Sequence, residues 1–224
     1  MPPTNVASDH DIVVENGRDP MAGQTALARE TVSAMAGSIA DPGPLGLAAF
    51  ALTTFVLSAV NAGWVSKGTE PIVLGLALAY GRVAQILAGM WEFKKGNTFG
   101  ATAFTSYGAF WLSFWAFVVF YAAKVPKADT AHAVGIFLFA WGIFTLYMLV
   151  ASLKTTGAIA IVFALLTVTF FLLAGGEWGG NESLVKLGGL LGIITALAAW
   201  YASMAGVVNS TFGKIVLPTK PLHA

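Results

Sequence analysis

The side chains of this sequence that are best suited to handling a small charged solute lie inside long apolar segments. Arg82 stands near the middle of one segment, about eight residues, or roughly 12 Å of helix, from either end. Estimates for a central arginine in a bilayer run from about 2.5–3.5 to 10–17 kcal/mol. Arg82 must therefore face a partner, water or another protomer, and it is a candidate anion site. A salt bridge between protomers or hydrogen bonds to backbone carbonyls are the alternative.

Uncharged polar residues in the same segments could line a path for a carboxylate. Gln85 and Glu92 are seven residues apart and therefore share one helix face, as do Thr54 and Asn61. Amides and hydroxyls can donate to a carboxylate, although Ser and Thr in membrane helices also bond to their own backbone or to a neighbouring helix. The candidates for this lining are Thr54, Asn61, Gln85, Thr105, Ser106 and Thr167.

Glu92 is a candidate proton carrier, with a helix cap or an ion pair at the helix end as the alternative. The three His residues lie in tails or a loop, and the chain has no Cys. No phosphate-binding loop, HExxH motif or nucleophile elbow is present. The sequence therefore indicates no metal, no cofactor and no enzyme activity.

The elements that must position these residues are membrane helices. Of the 224 residues, 57% are hydrophobic and only 10% are charged, whereas soluble domains carry about 25% charged residues. Six apolar segments are each long enough for a spanning helix, and they are too long and uniform for barrel strands. We predict an all-α integral membrane fold with six transmembrane helices in one bundle per protomer, at about residues 45–62, 72–90, 100–122, 133–153, 156–174 and 184–208.

Charge divides the chain and orients it. Residues 1–41 hold six acidic and two basic residues, and no basic stripe suggests nucleic acid. With both termini in the cytoplasm, the inner side carries seven Lys and Arg against four outside, which the positive-inside rule favours. We predict a cell-membrane protein with a polar, disordered acidic cytoplasmic extension (1–40), a transport domain (41–210) and a short cytoplasmic tail (211–224). A short amphipathic helix around Thr25–Met35 is the alternative for the extension.

The first membrane helix has a marked start. Asp41 is a favourable N-cap residue, and Pro42 fits the first helical position because it lacks an N–H that would be unpaired there. Pro44 and Gly46 follow. This pattern predicts a rigid helix start near the membrane face.

Two blocks of sequence resemble a known family. Residues 41–47, Asp-Pro-Gly-Pro-Leu-Gly-Leu, resemble the Asn-Pro-Ala-Pro-Leu-Gly-Leu signature of the acetate uptake transporter family. Residues 80–111 are similar to its most characteristic stretch, including Ala-Gly-Met-Trp-Glu-Phe-Lys-Lys-Gly-Asn-Thr-Phe-Gly. The resemblance covers about residues 40–218. Asp41 and Gly43 depart from the family pattern, and Arg82 stands where a second Gly is common.

The resemblance implies a hexamer of six-helix protomers, each with a path for acetate or a related short carboxylate that is generally linked to protons. It also implies a gate of one Phe, one Tyr and one Leu, which map to Phe50, Tyr107 and Leu166. Apolar rings can gate by dewetting, and a phenol can still donate to a carboxylate. The alternative is that each residue only packs a helix contact.

These observations favour transport of acetate and related short monocarboxylates, with succinate as a further candidate, by a proton-linked or channel-like route through the bilayer. A channel for a neutral solute or for ammonia and ammonium is one alternative, although Arg82 would repel a cation. A membrane sensor or scaffold is an alternative of another class, since the acidic extension could serve as a docking tail.

Overall fold

The computed structural model describes residues 23–25, 27–31 and 39–222. The chain divides into two units, residues 1–39 and 40–224. In the first unit, residues 23–25 and 27–31 are helical. The remainder of the predicted extension, including the end of the alternative helix around Thr25–Met35, lies outside the described residues. The membrane helices all belong to the second unit.

Six long helices form the second unit, as the hydropathy predicts. Each is long and apolar enough to cross a membrane. Most run several residues past the predicted apolar windows, because charged side chains such as Lys67 and Lys95 occupy the helix ends, where they can reach polar surroundings. We name the helices α1 (Gly43–Asn61), α2 (Lys67–Lys95), α3 (Thr98–Lys124), α4 (Lys127–Ser152), α5 (Gly157–Gly179) and α6 (Glu182–Phe212).

Short turns connect the helices, so that sequential neighbours run antiparallel. Gly96 ends α2 with a φ of 79°, and Gly180 ends α5 with a φ of 58°, a conformation that glycine adopts without strain. Asn97 then caps α3, because its Oδ1 accepts from the Gly100 N–H at 3.1 Å. Asn181 caps α6 in the same way. We call the end where α1 begins and α6 ends the proximal end, and the opposite end the distal end.

Small residues bring α1 and α6 close together. Gly189 of α6 approaches the backbone of Asn61 and Ala62, and Gly192 approaches Ser58. At the proximal end, the Ser203 hydroxyl donates to the Pro44 carbonyl at 2.7 Å. Close packing of this kind stabilises helix association in lipid, where the hydrophobic effect is absent between helices.

Helix α2 departs from regular α geometry near its middle. The segment Pro71–Leu76 is α-helical, Ala77–Ala84 is a π-helix, and Gln85–Lys95 is α-helical again. π segments are rare and concentrate at functional sites. A Cβ at Gly81 would lie 2.9 Å from Trp111 Cδ1 and Thr53 Oγ1, so glycine there lets the α3 indole pack directly against α2.

The start of α1 differs by one residue from the prediction. The helix begins at Gly43 with Pro42 at the N-cap position, so Asp41 lies one residue earlier than expected. Its carboxylate still accepts from the Gly43 N–H at 3.1 Å, because the carboxylate reaches forward over the proline. It also pairs with Lys95 of α2, with Oδ1 and Nζ 2.8 Å apart.

The described part of the C-terminal tail folds back onto the proximal end. Asn209 of α6 fixes it, because its Oδ1 accepts from the backbone N–H groups of Val216 and Leu217 at 2.7 and 2.9 Å. The Gly157 N–H at the start of α5 donates to the Lys220 carbonyl at 2.7 Å. The tail therefore forms part of the proximal surface.

Candidate functional site

Two cavities extend from the middle of the bundle toward its opposite ends. The proximal cavity has a volume of about 320 Å³ and reaches Asp41, Lys95 and Asn209. The distal cavity has a volume of about 640 Å³ and reaches Lys67 and Glu177. Both volumes fall within the range of about 300–1,000 Å³ that ligand pockets occupy.

Three side chains line both cavities and separate them. They are Phe50 of α1, Tyr107 of α3 and Leu166 of α5. All three are buried, with 6%, 3% and 4% of their surface exposed. We call these three residues the constriction. Its apolar surface can exclude water while the side chains remain in this arrangement.

Aromatic rings hold Tyr107 in the constriction. Its ring centroid lies 5.6 Å from that of Phe50 and 5.4 Å from that of Phe144 of α4. Its hydroxyl lies 2.9 Å from Thr145 Oγ1. The Thr145 hydroxyl already donates to the Trp141 carbonyl at 2.7 Å, so Tyr107 is the donor in the Tyr107–Thr145 bond. In this arrangement the phenol proton is therefore committed to Thr145 rather than offered to a carboxylate.

The polar groups of the proximal cavity bond largely to one another. Glu92 is buried at the end of α2, where its Oε2 accepts from Asn97 Nδ2 at 2.8 Å. A Cβ at Gly100 would lie 2.8 Å from the Glu92 Cδ, so the start of α3 closes tightly over the carboxylate. The Asp41–Lys95 pair lies in the same lining. The Glu92 carboxylate is therefore hydrogen-bonded across the turn that joins α2 to α3.

Gln85 is the exception in the proximal cavity. Its side chain is fully buried in the lining, and neither its Oε1 nor its Nε2 has a hydrogen-bond partner among the described residues. Buried amides without partners are rare. Gln85 therefore keeps a donor and an acceptor without partners beside the cavity.

The distal cavity is larger and mainly apolar, and eight of its lining residues are aromatic. Among the residues predicted to line a path, Thr54 and Asn61 lie here. The charged residues of its lining, Lys67, Glu70 and Glu177, belong to helix ends, far from the constriction. Near the constriction, the lining of the distal cavity is therefore apolar, with a few uncharged polar groups.

Four of the residues predicted as an anion site or as path lining belong to neither cavity: Arg82, Thr105, Ser106 and Thr167. Thr167 donates to the carbonyl of Phe163 at 2.7 Å, so its hydroxyl serves its own helix. Thr105 packs against Gly89 at the α2–α3 contact. Arg82 belongs to the π segment, next to the α-helical turn that begins at Gln85.

Several lining residues had no assigned role in the sequence prediction. Trp111 lies four residues after Tyr107 and lines the distal cavity, and that spacing was the available signal. Asn97 and Asn209 line the proximal cavity. Asn97 is the N-cap of α3 and also bonds to Glu92, five residues earlier, whereas the partners of Asn209 lie in the tail. Among the described residues, no group of three His, Asp or Glu is placed to hold a metal ion.

Six membrane helices with two cavities meeting at an apolar constriction define a class of transporter or channel. The model of the GPR1/FUN34/yaaH family matches residues 24–224, and the chain belongs to this family. It is 42% identical over 185 residues to the succinate-acetate/proton symporter SatP of Escherichia coli, covering 83% of this chain and 97% of that protein. It is 42% identical over 201 residues to acetate permease A of Emericella nidulans, covering 83% of this chain and 67% of that protein.

The fold agrees with a solved structure described as the bacterial acetate channel SatP. The TM-score is 0.76 at 42% sequence identity, and the match covers 81% of this chain and 99% of the other. The predicted fold class and family are therefore confirmed.

Proposed function

We propose that this protein carries acetate and related short monocarboxylates across a cell membrane through the two cavities. The observation that carries the proposal is that Phe50, Tyr107 and Leu166 line both cavities at once. These three side chains therefore block a solute in one cavity from entering the other cavity. Movement of one or more of them would join the cavities into a path.

The lining suits a molecule with one charged end and one small apolar end. Gln85 Nε2 is an unpaired buried donor in the proximal cavity, and a carboxylate oxygen is a strong acceptor for such a group. The walls of the constriction are apolar and suit a methyl group. The relatives named for acetate transport support the same substrate class.

The energetic problem that such a path solves is the charge of the substrate. Short carboxylic acids ionise with a pKa of about 4, close to the values of Asp and Glu, so that nearly all of the acid is anionic at neutral pH. The hydrocarbon core rejects that anion. Because the sequence contains no ATP-binding motif, we propose that any accumulation depends on the proton gradient, in line with the printed name of the symporter relative.

The orientation and assembly belong to the same proposal. We assign the proximal end to the cytoplasm on the charge bias, because Lys94, Lys95 and Lys154 flank the membrane there. The protomers form a hexamer, as the family resemblance implies. The uncharged outward faces of the helices, with exposed residues such as Ile161 and Leu197, are suited to lipid or to a neighbouring protomer.

The test is uptake of radiolabelled acetate by purified protein in proteoliposomes, with and without an inward proton gradient. We expect acetate flux that unlabelled acetate suppresses and that the gradient stimulates. Labelled urea and methylammonium serve as controls for a neutral-solute path and an ammonium path. Flux of either control without acetate flux would replace the proposal by that alternative, and no flux of any solute would favour a sensor or scaffold.

A further inference from the structure

The described tail runs from the end of α6 to the start of α5 at the proximal mouth. Residues 218–222, which we call the arm, reach the first turn of α5, where the Lys220 carbonyl accepts from the Gly157 N–H at 2.7 Å. Thr219 of the arm is a lining residue of the proximal cavity. The arm is therefore part of the wall of that mouth, and its position helps to set the width of the mouth.

Two side chains of α6 hold the tail just before the arm. The Asn209 Oδ1 accepts from the backbone N–H groups of Val216 and Leu217, and the Asn209 Nδ2 donates to the Leu217 carbonyl at 2.8 Å. The Tyr201 hydroxyl donates to the Pro218 carbonyl at 2.7 Å. Because one amide makes three of these bonds, residues 216–217 form a fixed root to which the arm is attached.

The arm itself is joined to α5 through backbone groups. Besides the Lys220 bond, the Thr219 carbonyl accepts from the Ala158 N–H at 3.2 Å, and the Leu222 N–H donates to the Thr155 carbonyl at 3.0 Å. The first N–H groups of a helix have no partner within the helix, so the arm supplies acceptors that water can also supply. The bonds of the arm can therefore be exchanged for bonds to water.

Little else holds the arm in place. None of the described tail residues 214–222 is buried, so no apolar packing secures it. Lys220 has a φ of 52° and is the only non-glycine residue with a positive φ among the described residues. Such a conformation is strained and persists only where the surrounding bonds impose it. Segments with exposed backbone bonds and few buried contacts open most readily, and release from α5 would also relieve the strain at Lys220.

We propose that the arm is a latch on the proximal mouth. Bonded to α5, it narrows the mouth, and it detaches from α5 when the transported acid passes between the proximal cavity and the solution on that side. The root at Asn209 keeps the tail attached while the arm moves. This inference rests on the proposed function, because a latch on the mouth acts only if the cavity behind it belongs to a path.

A disulfide can hold the latch closed. A Cβ at Gly157 would lie 3.5 Å from the Lys220 Cβ, and Cβ atoms joined by a disulfide are about 3.5–4.5 Å apart. The chain has no Cys, and neither residue lines a cavity, so Gly157→Cys combined with Lys220→Cys locks the arm without changing the path. We expect oxidation in proteoliposomes to lower acetate flux by more than about tenfold, and dithiothreitol to restore it.

Two controls accompany the locked variant. Loss of maleimide labelling measures closure of the disulfide, and recovery of flux in the reduced sample shows that the double variant is folded. Gly157→Cys alone has no second thiol within its own chain, so its flux should not change on oxidation.

Tyr201→Phe tests the latch in the opposite direction. It removes the bond to the Pro218 carbonyl, and Tyr201 lines neither cavity. We expect acetate flux to rise about two- to tenfold, the effect of one hydrogen bond on the equilibrium between the bonded and detached arm. A tail that only supported the fold would instead give lower flux when loosened. The matched control is Tyr147→Phe on α4, which is half exposed, lines neither cavity and should leave flux unchanged.

The outcomes separate the latch from the proposed function. Equal flux before and after the disulfide closes would overturn the latch and leave acetate transport intact. A cysteine pair that does not close would also overturn it, because the arm would not lie against α5. Flux in Tyr201→Phe at or below the wild-type value would overturn it as well. Absence of acetate flux from the wild-type protein would contradict the proposed function, and the latch with it.

Discussion

The proximal cavity has half the volume of the distal one, about 320 against 640 Å³, and its polar side chains are bonded differently. In the proximal cavity, Glu92 bonds to Asn97, Asp41 pairs with Lys95, and Asn209 fixes the tail. In the distal cavity, Thr54 and Trp111 lie near the constriction without partners.

The difference indicates a division of roles. A network of bonded side chains holds a fixed shape, because each group that moves must break a hydrogen bond. We infer that the bonded proximal lining holds the shape of that entrance, with Gln85 as its side chain without a hydrogen-bond partner among the described residues. Near the constriction, the distal lining carries no such network at Thr54 and Trp111.

The largest effect is expected from a substitution that blocks the constriction shared by the two cavities. Leu166→Trp places an indole in the constriction, and we expect acetate flux in proteoliposomes to fall by more than about tenfold, because the added volume fills the space that both cavities share. Val168→Trp is the control, since Val168 is half exposed on the outward face of α5 and lines neither cavity. Equal flux in the two variants would contradict the assignment of the constriction.

A second prediction compares how much a hydrogen-bonded residue of the proximal lining and a polar residue of the distal lining contribute to the stability of the fold. Glu92→Ala leaves the Asn97 amide without its acceptor, and we expect about 2 kcal/mol of lost stability, measured as a lower denaturation temperature in detergent. Glu92→Gln keeps an oxygen that can accept and should remain close to wild type. Asn61→Ala in the distal lining should also cause little loss. A destabilisation by Asn61→Ala as large as that by Glu92→Ala would break the comparison.

A third prediction concerns the charge at the proximal entrance. Asp41→Asn keeps an oxygen for the Gly43 N–H but leaves the Lys95 ammonium unneutralised. We expect the KM for acetate to fall about twofold at low ionic strength, because an unpaired cation attracts the anion. The effect should disappear near about 1 M salt, where screening is nearly complete. A change that persists in high salt would indicate a structural rather than an electrostatic cause.

The smallest effect is expected for Arg82. Because Arg82 lines neither cavity, Arg82→Gln should change the KM for acetate by less than about twofold. The measurement is the concentration dependence of uptake, with Gln85→Leu as the comparison that should raise KM. A large rise in KM for Arg82→Gln would instead restore its role as an anion site.

Hydropathy predicted the six helices because lipid requires each spanning segment to be apolar and internally hydrogen-bonded. It could not predict the π segment Ala77–Ala84, since no residue pattern marks the extra residue in a turn. The helical spacing that grouped Arg82 with Gln85 assumed a regular α-helix, whereas Arg82 lies in the π segment and lines neither cavity.

The candidate site was predicted unevenly for a related reason. Resemblance to the family selected Phe50, Tyr107 and Leu166, which the structure brings together at one level. Residue type alone selected Thr105, Ser106 and Thr167, but a hydroxyl can be satisfied by its own helix, as Thr167 is. Trp111 was overlooked because its surroundings depend on Gly81 of another helix.

The central claim is that two cavities face opposite sides of the membrane and are closed from each other by the constriction. Because the chain contains no Cys, single cysteines can report access: Ala103→Cys lines the proximal cavity and Leu57→Cys the distal one. We expect a membrane-impermeant thiol reagent to label Ala103→Cys only from the proximal side and Leu57→Cys only from the distal side. Labelling of both from the same side would contradict the account.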